Sequence, residues 1–337
     1  MKVLLVDTLS ERAHTSFNQS IVDWLGNEDV SMYFSDSMAR NFDSNSRSFP
    51  DKMLVKNSKW KYKFNQLILM KNVFSKLRHN SFDKVLFLSY EPLSMSIWSY
   101  FFRYFTRTNL YVFEHNTVPN SGFLKKMLYK MISKTVTHIT LMDYISKYVN
   151  EKFNKKAVTI RLPMNNIFDS TNKRVEPLGI NHDKIIFMPS ATIDAETTNK
   201  IYHVVSQNKG YTLYAKQKYD VKFESKNIIL SSWFEDYNGM MVSSDVVIIP
   251  QNFDYRVSSV LYEALQSNAL IIVSDCIFGR FASEYFPDRV FLVSDWDELF
   301  PIIESNLPLV GRINENYFLH WNNRGKNELY EALNANF

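Results

Sequence analysis

Short apolar runs recur along this chain, each broken by a polar or charged residue and separated by stretches long enough for a helix. Residues 1–7 (MKVLLVD) are apolar and close on a polar residue, as a buried parallel strand does. A helix is expected over 16–25. Residues 35–60 are rich in Ser, Asn and Asp and read as loop. Residues 85–89 (VLFLS), 110–114 (LYVFE), 136–141 and 158–162 are further strand candidates, and 163–183, with two prolines and the pair Asn165-Asn166, reads as linker. The pattern then restarts, with short apolar runs at 184–188, 211–215, 228–230, 246–249, 270–273 and 290–293 and helical stretches between most of them. The expectation is an α/β protein of two Rossmann-like domains, each a doubly wound parallel sheet. They cover 1–165 and 184–315, joined by a linker at 166–183. A helical segment over 316–337 packs back on the first domain. In such sheets ligands sit beyond the carboxyl ends of the strands, so the residues after each strand carry the search for chemistry.

Composition supports two cores and narrows the setting. Of 337 residues, 45% are hydrophobic and 22% charged, as in globular rather than disordered chains. The single cysteine, Cys276, excludes a disulfide framework and any multi-cysteine zinc site. No apolar run approaches the ~20 residues that span a bilayer. The first residues become charged too soon for a secretory signal, so a cytoplasmic location is expected. The net charge of +4 is unevenly spread. Residues 1–170 hold 24 Lys+Arg against 14 Asp+Glu, and residues 171–337 hold 15 against 21. Only the first half is suited to face a polyanion.

Several familiar chemistries are absent. The first strand is followed by Asp7-Thr8-Leu9-Ser10-Glu11 rather than G-x-G-x-x-G, and no P-loop or G-x-S-x-G elbow occurs. With eight glycines in all, any phosphate must be held by helix N-termini and side chains. The D-x-D of Asp295-Trp296-Asp297 follows a strand and opens a helix, so capping explains it.

The informative segment is 243–275, SSDVVIIPQNFDYRVSSVLYEALQSNALIIVSD, which reads strand, loop, helix, strand. Ser258 or Ser259 would cap the helix, and its N–H groups would face a diphosphate. Glu263, in the second turn, could accept hydrogen bonds from ribose hydroxyls. This run resembles the nucleotide-sugar segment of GT-B glycosyltransferases, especially the family 4-like group found in bacterial surface-polysaccharide pathways. Residues 228–250, 157–168 (AVTIRLPMNNIF) and 123–153 are similar to further stretches of that family in the same order. Four features depart from its pattern. The Arg and Lys expected after the first strand of the second domain are only loosely matched, by Pro189-Ser190-Ala191-Thr192 and Lys200. Tyr255 stands where the family has its first Glu, Arg256 replaces the usual glycine, and Arg12 to Ser16 takes the place of a glycine-rich loop.

The resemblance implies a GT-B fold with two domains facing across a cleft, and a sugar transferred from a nucleotide-diphosphate donor to a saccharide acceptor. It implies no metal, no cofactor beyond the donor, and retention of configuration. Thr192, Lys200, Lys216, Arg256, Ser258, Ser259 and Glu263 would bind the donor, with Arg256 best suited to grip phosphate oxygens. His115, Glu114, Glu91 and His14 would line the acceptor side, as groups able to orient hydroxyls or move a proton.

The basic half suggests a lipid-linked acceptor and peripheral contact with the inner face of an anionic membrane. In the 123–134 segment, Lys126, Lys130 and Lys134 form an i, i+4 stripe. Residues 97–105 are strongly aromatic, and Lys59, Lys61 and Lys63 alternate with Trp60 and Tyr62. No nucleic-acid motif is present. Two other readings stay open: a nucleotide-sugar epimerase of the same fold, and a non-catalytic scaffold in a polysaccharide assembly complex.

Overall fold

The computed structural model describes residues 1–9, 14–42, 46–79, 81–106, 108–164, 184–190, 193–217, 223–309 and 315–335. They form two compact units. The expected linker and Thr192 lie outside the described residues.

The first unit comprises Met1–Asn165, Tyr255–Val257 and Leu319–Phe337. Along the chain it runs β1 (Lys2–Asp7), α1 (Thr15–Trp24), β2 (Asp29–Ser35), α2 (Asp36–Ala39), β3 (Ser46–Phe49), α3 (Lys59–His79), β4 (Lys84–Ser89), α4 (Pro92–Phe105), β5 (Asn109–Phe113), α5 (Phe123–Met131), β6 (Thr137–Thr140), α6 (Asp143–Phe153) and β7 (Lys156–Thr159). The seven strands pair in parallel in the order β3-β2-β1-β4-β5-β6-β7. β1, β4 and β5 are almost wholly buried, which is why they read as continuous apolar runs.

Two of these strands were not expected. β2 (DVSMYFS) mixes polar and apolar residues, and β3 (SRSF) is a four-residue polar strand at the sheet edge. An edge strand is held by main-chain pairing on one side and needs little apolar content, so hydrophobic patterning passes over it. The stretch read as loop therefore holds α2, β3, a 3-10 turn at Asp51–Met53 and the start of α3. The last strand of the unit also sits earlier than expected, at 156–159.

The second unit comprises Asn166–Asp254 and Ser258–Phe318. It contains β8 (Lys184–Met188), α7 (Ala195–Ser206), β9 (Tyr211–Lys216), β10 (Ile228–Ser231), α8 (Tyr237–Ser243), β11 (Val246–Ile249), α9 (Ser259–Ala264), β12 (Leu270–Ser274), α10 (Ile277–Tyr285), β13 (Val290–Val293) and α11 (Leu299–Asn306). All six strands are parallel, in the order β10-β9-β8-β11-β12-β13. Ile186, Leu213, Val246, Ile248 and Ile272 pack on Ile201, Val205, Leu299 and Ile303 of the covering helices. Each sheet reverses its strand order once, between β1 and β4 in the first unit and between β8 and β11 in the second. Ligands of open parallel sheets bind at such points. The architecture is two α/β units, each built on one parallel sheet. No helix among the described residues is long and apolar enough to cross a membrane.

The last helix, α12 (Glu315–Asn334), contributes its length from Leu319 to the first unit. The Trp321 indole N–H donates to the Leu162 carbonyl at 2.9 Å, Asn322 exchanges two hydrogen bonds with the Met164 backbone, and Glu328 pairs with Arg161. Gly325 makes this approach possible, because a Cβ there would stand 2.6 Å from the Trp24 ring and 3.2 Å from the Arg161 carbonyl. Gly325→Ala is expected to destabilise the unit by about 1–3 kcal/mol through overpacking. That should appear as a fall of at least about 2 °C in melting temperature. An unchanged melting temperature would contradict this packing.

Candidate functional site

In the first unit, polar side chains converge where β1, β4 and β5 end. β1 closes on Asp7, whose carboxylate is fully buried. It accepts from the Leu9 backbone N–H at 3.0 Å, from the Asn18 amide at 3.0 Å and from the Ser89 hydroxyl at the end of β4. Nδ1 of His14, just ahead of α1, lies 3.4 Å from its Oδ2. Burial alone would raise the Asp7 carboxyl, but the bonds and charge of His14, with Asn18 and Ser89, outweigh it and hold it near 2. Asp7 is therefore a charged carboxylate at neutral pH, tying β1 to α1 and β4.

The His14 ring stacks on His115, which follows β5, with centroids 4.9 Å apart and planes 24° from parallel. Phe17 packs edge-on against the same His115 ring at 4.6 Å. The His115 ring hydrogen-bonds the Leu88 backbone, and its buried Nε2 has no partner among the described residues. Burial, with the like charge of His14, pushes His115 down to about 4. It is neutral at pH 7, with one ring nitrogen uncommitted. This gives a carboxylate and two imidazoles in one polar cluster, the elements of an acid–base device.

The other two residues expected here do different work. Glu114 precedes His115 but turns into the core. It accepts from the Tyr90 hydroxyl at 2.7 Å, the Tyr129 hydroxyl at 3.0 Å and Thr117, and lies 2.6 Å from His138 Nδ1. Successive residues leaving a strand point to opposite faces, so His115 and Glu114 cannot both enter one site. Glu91 caps α4, accepting from the Ser94 N–H at 2.8 Å, and its other oxygen pairs with Lys63 at 2.6 Å. Asp7, Asn18 and Ser89 were not singled out from the sequence. The available signal was the polar residue that ends each of the runs MKVLLVD and VLFLS.

In the second unit the expected donor residues scatter. Glu263 is half-buried in α9 and accepts from the Tyr237 hydroxyl at 2.5 Å. Burial raises its carboxyl, and that hydrogen bond only partly offsets the rise. Ser258 is the N-cap residue of α9 but its side chain makes no capping bond, Ser259 is exposed, and the helix is six residues long. Lys216 ends β9 with its ammonium 5.2 Å above the Trp233 ring. Lys200, on α7, pairs with Asp295 at 2.5 Å and Asp297 at 3.1 Å. The D-x-D therefore serves as a cap, Asp295 accepting from the Asp297 N–H at 3.1 Å, and as a counter-charge to Lys200. At the switch point, buried Gln251 follows β11 and donates to the Ser190 carbonyl at 3.5 Å, leaving its Oε1 without a partner among the described residues. Arg256 falls in the Tyr255–Val257 segment grouped with the first unit, where the Tyr144 hydroxyl donates to its carbonyl at 3.5 Å. Tyr255 stacks on Tyr148 with centroids 3.6 Å apart.

No known sequence family matches the chain, and no curated protein is similar to it. Solved structures are similar over its whole length. A glycosyltransferase from Rickettsia africae aligns at a TM-score of 0.70 and 16% identity, over 100% of this chain and 99% of its own. Anabaena HepE in complex with UDP-glucose aligns at 0.69 and 11%, over 99% of both chains. Sucrose-phosphate synthase from Thermosynechococcus elongatus aligns at 0.68 and 11%, over 99% of this chain and 96% of its own. The likeness is one of fold, that of GT-B glycosyltransferases.

The depressed His115 sets a pH dependence of stability. Unfolded, the ring takes a proton near 6.5, whereas folded it resists until about 4. The stabilisation is therefore complete above 6.5 and is lost as pH falls toward 4. Between pH 7.5 and pH 5 the His115 contribution to unfolding free energy should fall by about 2 kcal/mol. His115→Asn should flatten this part of the profile in urea titrations. A variant profile parallel to the wild-type one would sink the assignment.

Proposed function

We propose that this protein is a glycosyltransferase that moves a sugar from a nucleotide-diphosphate donor to a lipid-linked saccharide acceptor in bacterial cell-surface polysaccharide synthesis, without a metal ion. The observation that carries the reading is the cluster of buried, charged Asp7 with His14 and His115 at the switch point of a GT-B sheet. Acceptor hydroxyls are poor nucleophiles until a base begins to take their proton. His14, oriented by the Asp7 carboxylate, would take it, and neutral His115 would hold a sugar hydroxyl through Nε2. On the donor side, Glu263 would grip the ribose, while Ser258, Ser259, Lys216 and Arg256 would face the diphosphate and offset its leaving charge. Lys200, already shared by two aspartates, is the weakest member of that set. A UDP-sugar is the donor to try first, because HepE, which shares the fold, binds UDP and UDP-glucose in its crystals.

The stereochemical course expected from the resemblance is retention. The Asp7–His14 pair favours a second course, inversion, because a base beside the acceptor is needed for a direct displacement, whereas in a retaining reaction the leaving phosphate can take the proton. The anomeric configuration of the product decides between them.

The test is a melting-temperature screen against UDP, GDP, ADP, TDP and CMP, with and without Mg²⁺. A ligand at about 100 times its Kd adds ~2.7 kcal/mol, which shifts the transition by several degrees. One diphosphate should stabilise the protein without Mg²⁺. Glu263→Ala should abolish the shift. His14→Ala should keep it while lowering transfer by about 10²–10⁴-fold. A flat response across the panel would overturn the reading and bring the scaffold forward.

The membrane part of the proposal is supported by α3, α4 and α5, which pack in succession and contain no Asp or Glu among their residues. Phe74, Trp98 and Phe102 pack together between α3 and α4, but Trp60 (81% exposed), Tyr104, Phe105, Phe123 (85%) and Leu124 face outward among lysines. Cationic and aromatic side chains together suit an anionic interface. The protein should co-sediment with vesicles containing phosphatidylglycerol and not with neutral phosphatidylcholine. Phe123→Asp with Leu124→Asp should weaken binding at least about tenfold, since two apolar anchors are replaced by charges the surface repels. Equal binding to both lipids would remove the membrane from the proposal.

A further inference from the structure

α3 lays an apolar stripe on the sheet through Leu69, Met70, Val73 and Leu77, and one turn earlier the same buried face carries Gln66. A fully buried glutamine in line with leucine and valine needs partners for both halves of its amide, and it has one for a single half. Its N–H donates to the Thr8 carbonyl at 2.7 Å, just beyond the end of β1, while its Oε1 has no partner among the described residues. Lys63 of the same helix pairs with Glu91 at 2.6 Å, beyond the end of β4. Tyr62, one turn before Gln66, is raised by burial and then by the charges of Glu91 and Asp7, so its hydroxyl lies in the field of both. This end of α3 therefore stands over the carboxyl edge where Asp7 lies.

Three more buried side chains around Asp7 share the condition of Gln66. Asn18 donates its amide N–H to Asp7 Oδ2 at 3.0 Å and keeps a bare Oδ1. The hydroxyl of Thr8, the residue after Asp7, is buried without a partner among the described residues. His115 spends one ring nitrogen on the Leu88 backbone and keeps Nε2. The two amides are oriented by their partners, since an amide oxygen would be repelled by a carbonyl or a carboxylate. In Gln66, Asn18 and neutral His115 the donor is used and the acceptor is left over. Unpaired buried polar atoms cost the folded chain free energy, and a ligand that brings O–H groups recovers it. A phosphate dianion or a carboxylate brings acceptors only and can pair with none of these three.

We propose that Gln66, with Thr8 and Asn18, recognises hydroxyl groups of an uncharged sugar, the same sugar that His115 holds through Nε2. Its role as acceptor rests on the transferase reading, to which these side chains add the chemistry of the acceptor's reacting end, a neutral sugar rather than a phosphate. Buried acceptors left unpaired by a deoxy analogue make such a site selective for the hydroxyl itself.

The experiment measures affinity for the methyl glycosides of glucose, galactose, mannose and N-acetylglucosamine, with UDP measured alongside. At least one glycoside should bind the wild-type protein. Thr8→Val removes a hydroxyl that has no partner and keeps the shape of the side chain, so the melting temperature without ligand should not fall. Affinity for that glycoside should nevertheless weaken about three- to tenfold, the effect of one hydrogen bond. Gln66→Met should weaken it at least as much. Because that variant also loses the bond to Thr8, Thr8→Val alone decides where Gln66→Met lowers the melting temperature. UDP affinity should be equal in all three proteins. Equal glycoside affinity in wild type and Thr8→Val, the result expected if buried water pairs these atoms, would overturn the proposal, as would no binding by any glycoside. Either result leaves the transferase reading standing if UDP binds. A glycoside affinity that falls in Thr8→Val without any UDP binding would keep the sugar site and remove that reading.

Discussion

A parallel strand cannot be joined to its neighbour by a tight turn, and every other feature of this protein follows from that constraint. Among the described residues, each connection from one strand to the next within a sheet carries the chain back to the starting edge, so all carboxyl ends of a sheet collect on one side. The loops there come from residues far apart in sequence. Asp7, His14, Ser89 and His115 meet because β1, β4 and β5 end together, not because the chain brings them close. The opposite edge is assembled in the same way, and Lys2, Arg47 and Lys76 meet there.

Electrostatics give the two edges different characters. At the carboxyl edge one buried carboxylate is held charged by an amide, a hydroxyl, a backbone N–H and the neighbouring His14, whose bonds and charge together offset its desolvation. At the neighbouring His115 burial and the charge of His14 outweigh the charges of Asp7 and Glu114 and the Leu88 hydrogen bond, so the ring stays neutral. One site thus contains an anion and an uncharged imidazole at the same pH, a separation that acid–base chemistry requires. At the amino edge Lys2, Arg47 and Lys76 line one pocket. Lys76 is depressed there by burial and, second, by the like charge of Arg47.

Other carboxylates at the carboxyl ends of strands show how an ionisable group is absorbed by structure. Glu91 is spent on capping a helix and on Lys63, Glu114 on two tyrosines, a threonine and His138, and Asp295 on a turn and Lys200. Glu91 and Glu114 look like candidates in the linear sequence, since both lie just after a strand. Their partners lie on other elements, so only the assembled fold distinguishes a carboxylate in use from one that is available.

Much of the fold was legible in the residues. The six strands of the second unit and the buried strands β1, β4 and β5 announced themselves because burial on both faces demands apolar side chains. His115 was visible as a histidine directly after such a strand, and Asp295 as a cap because capping is local. β2 and β3 were not visible, because strands toward the sheet edge are held by main-chain hydrogen bonds that leave little trace in side-chain pattern. The sequence by itself determined which segments must be buried, the period at which they alternate with helices, and the basic bias of the first half. Tertiary structure alone decided that Asp7 faces His14, that Glu114 turns away from His115, and that three distant cations share one pocket. Those outcomes depend on strand order, register and the side of the sheet each residue occupies, and these are properties of pairing between segments rather than of any segment alone.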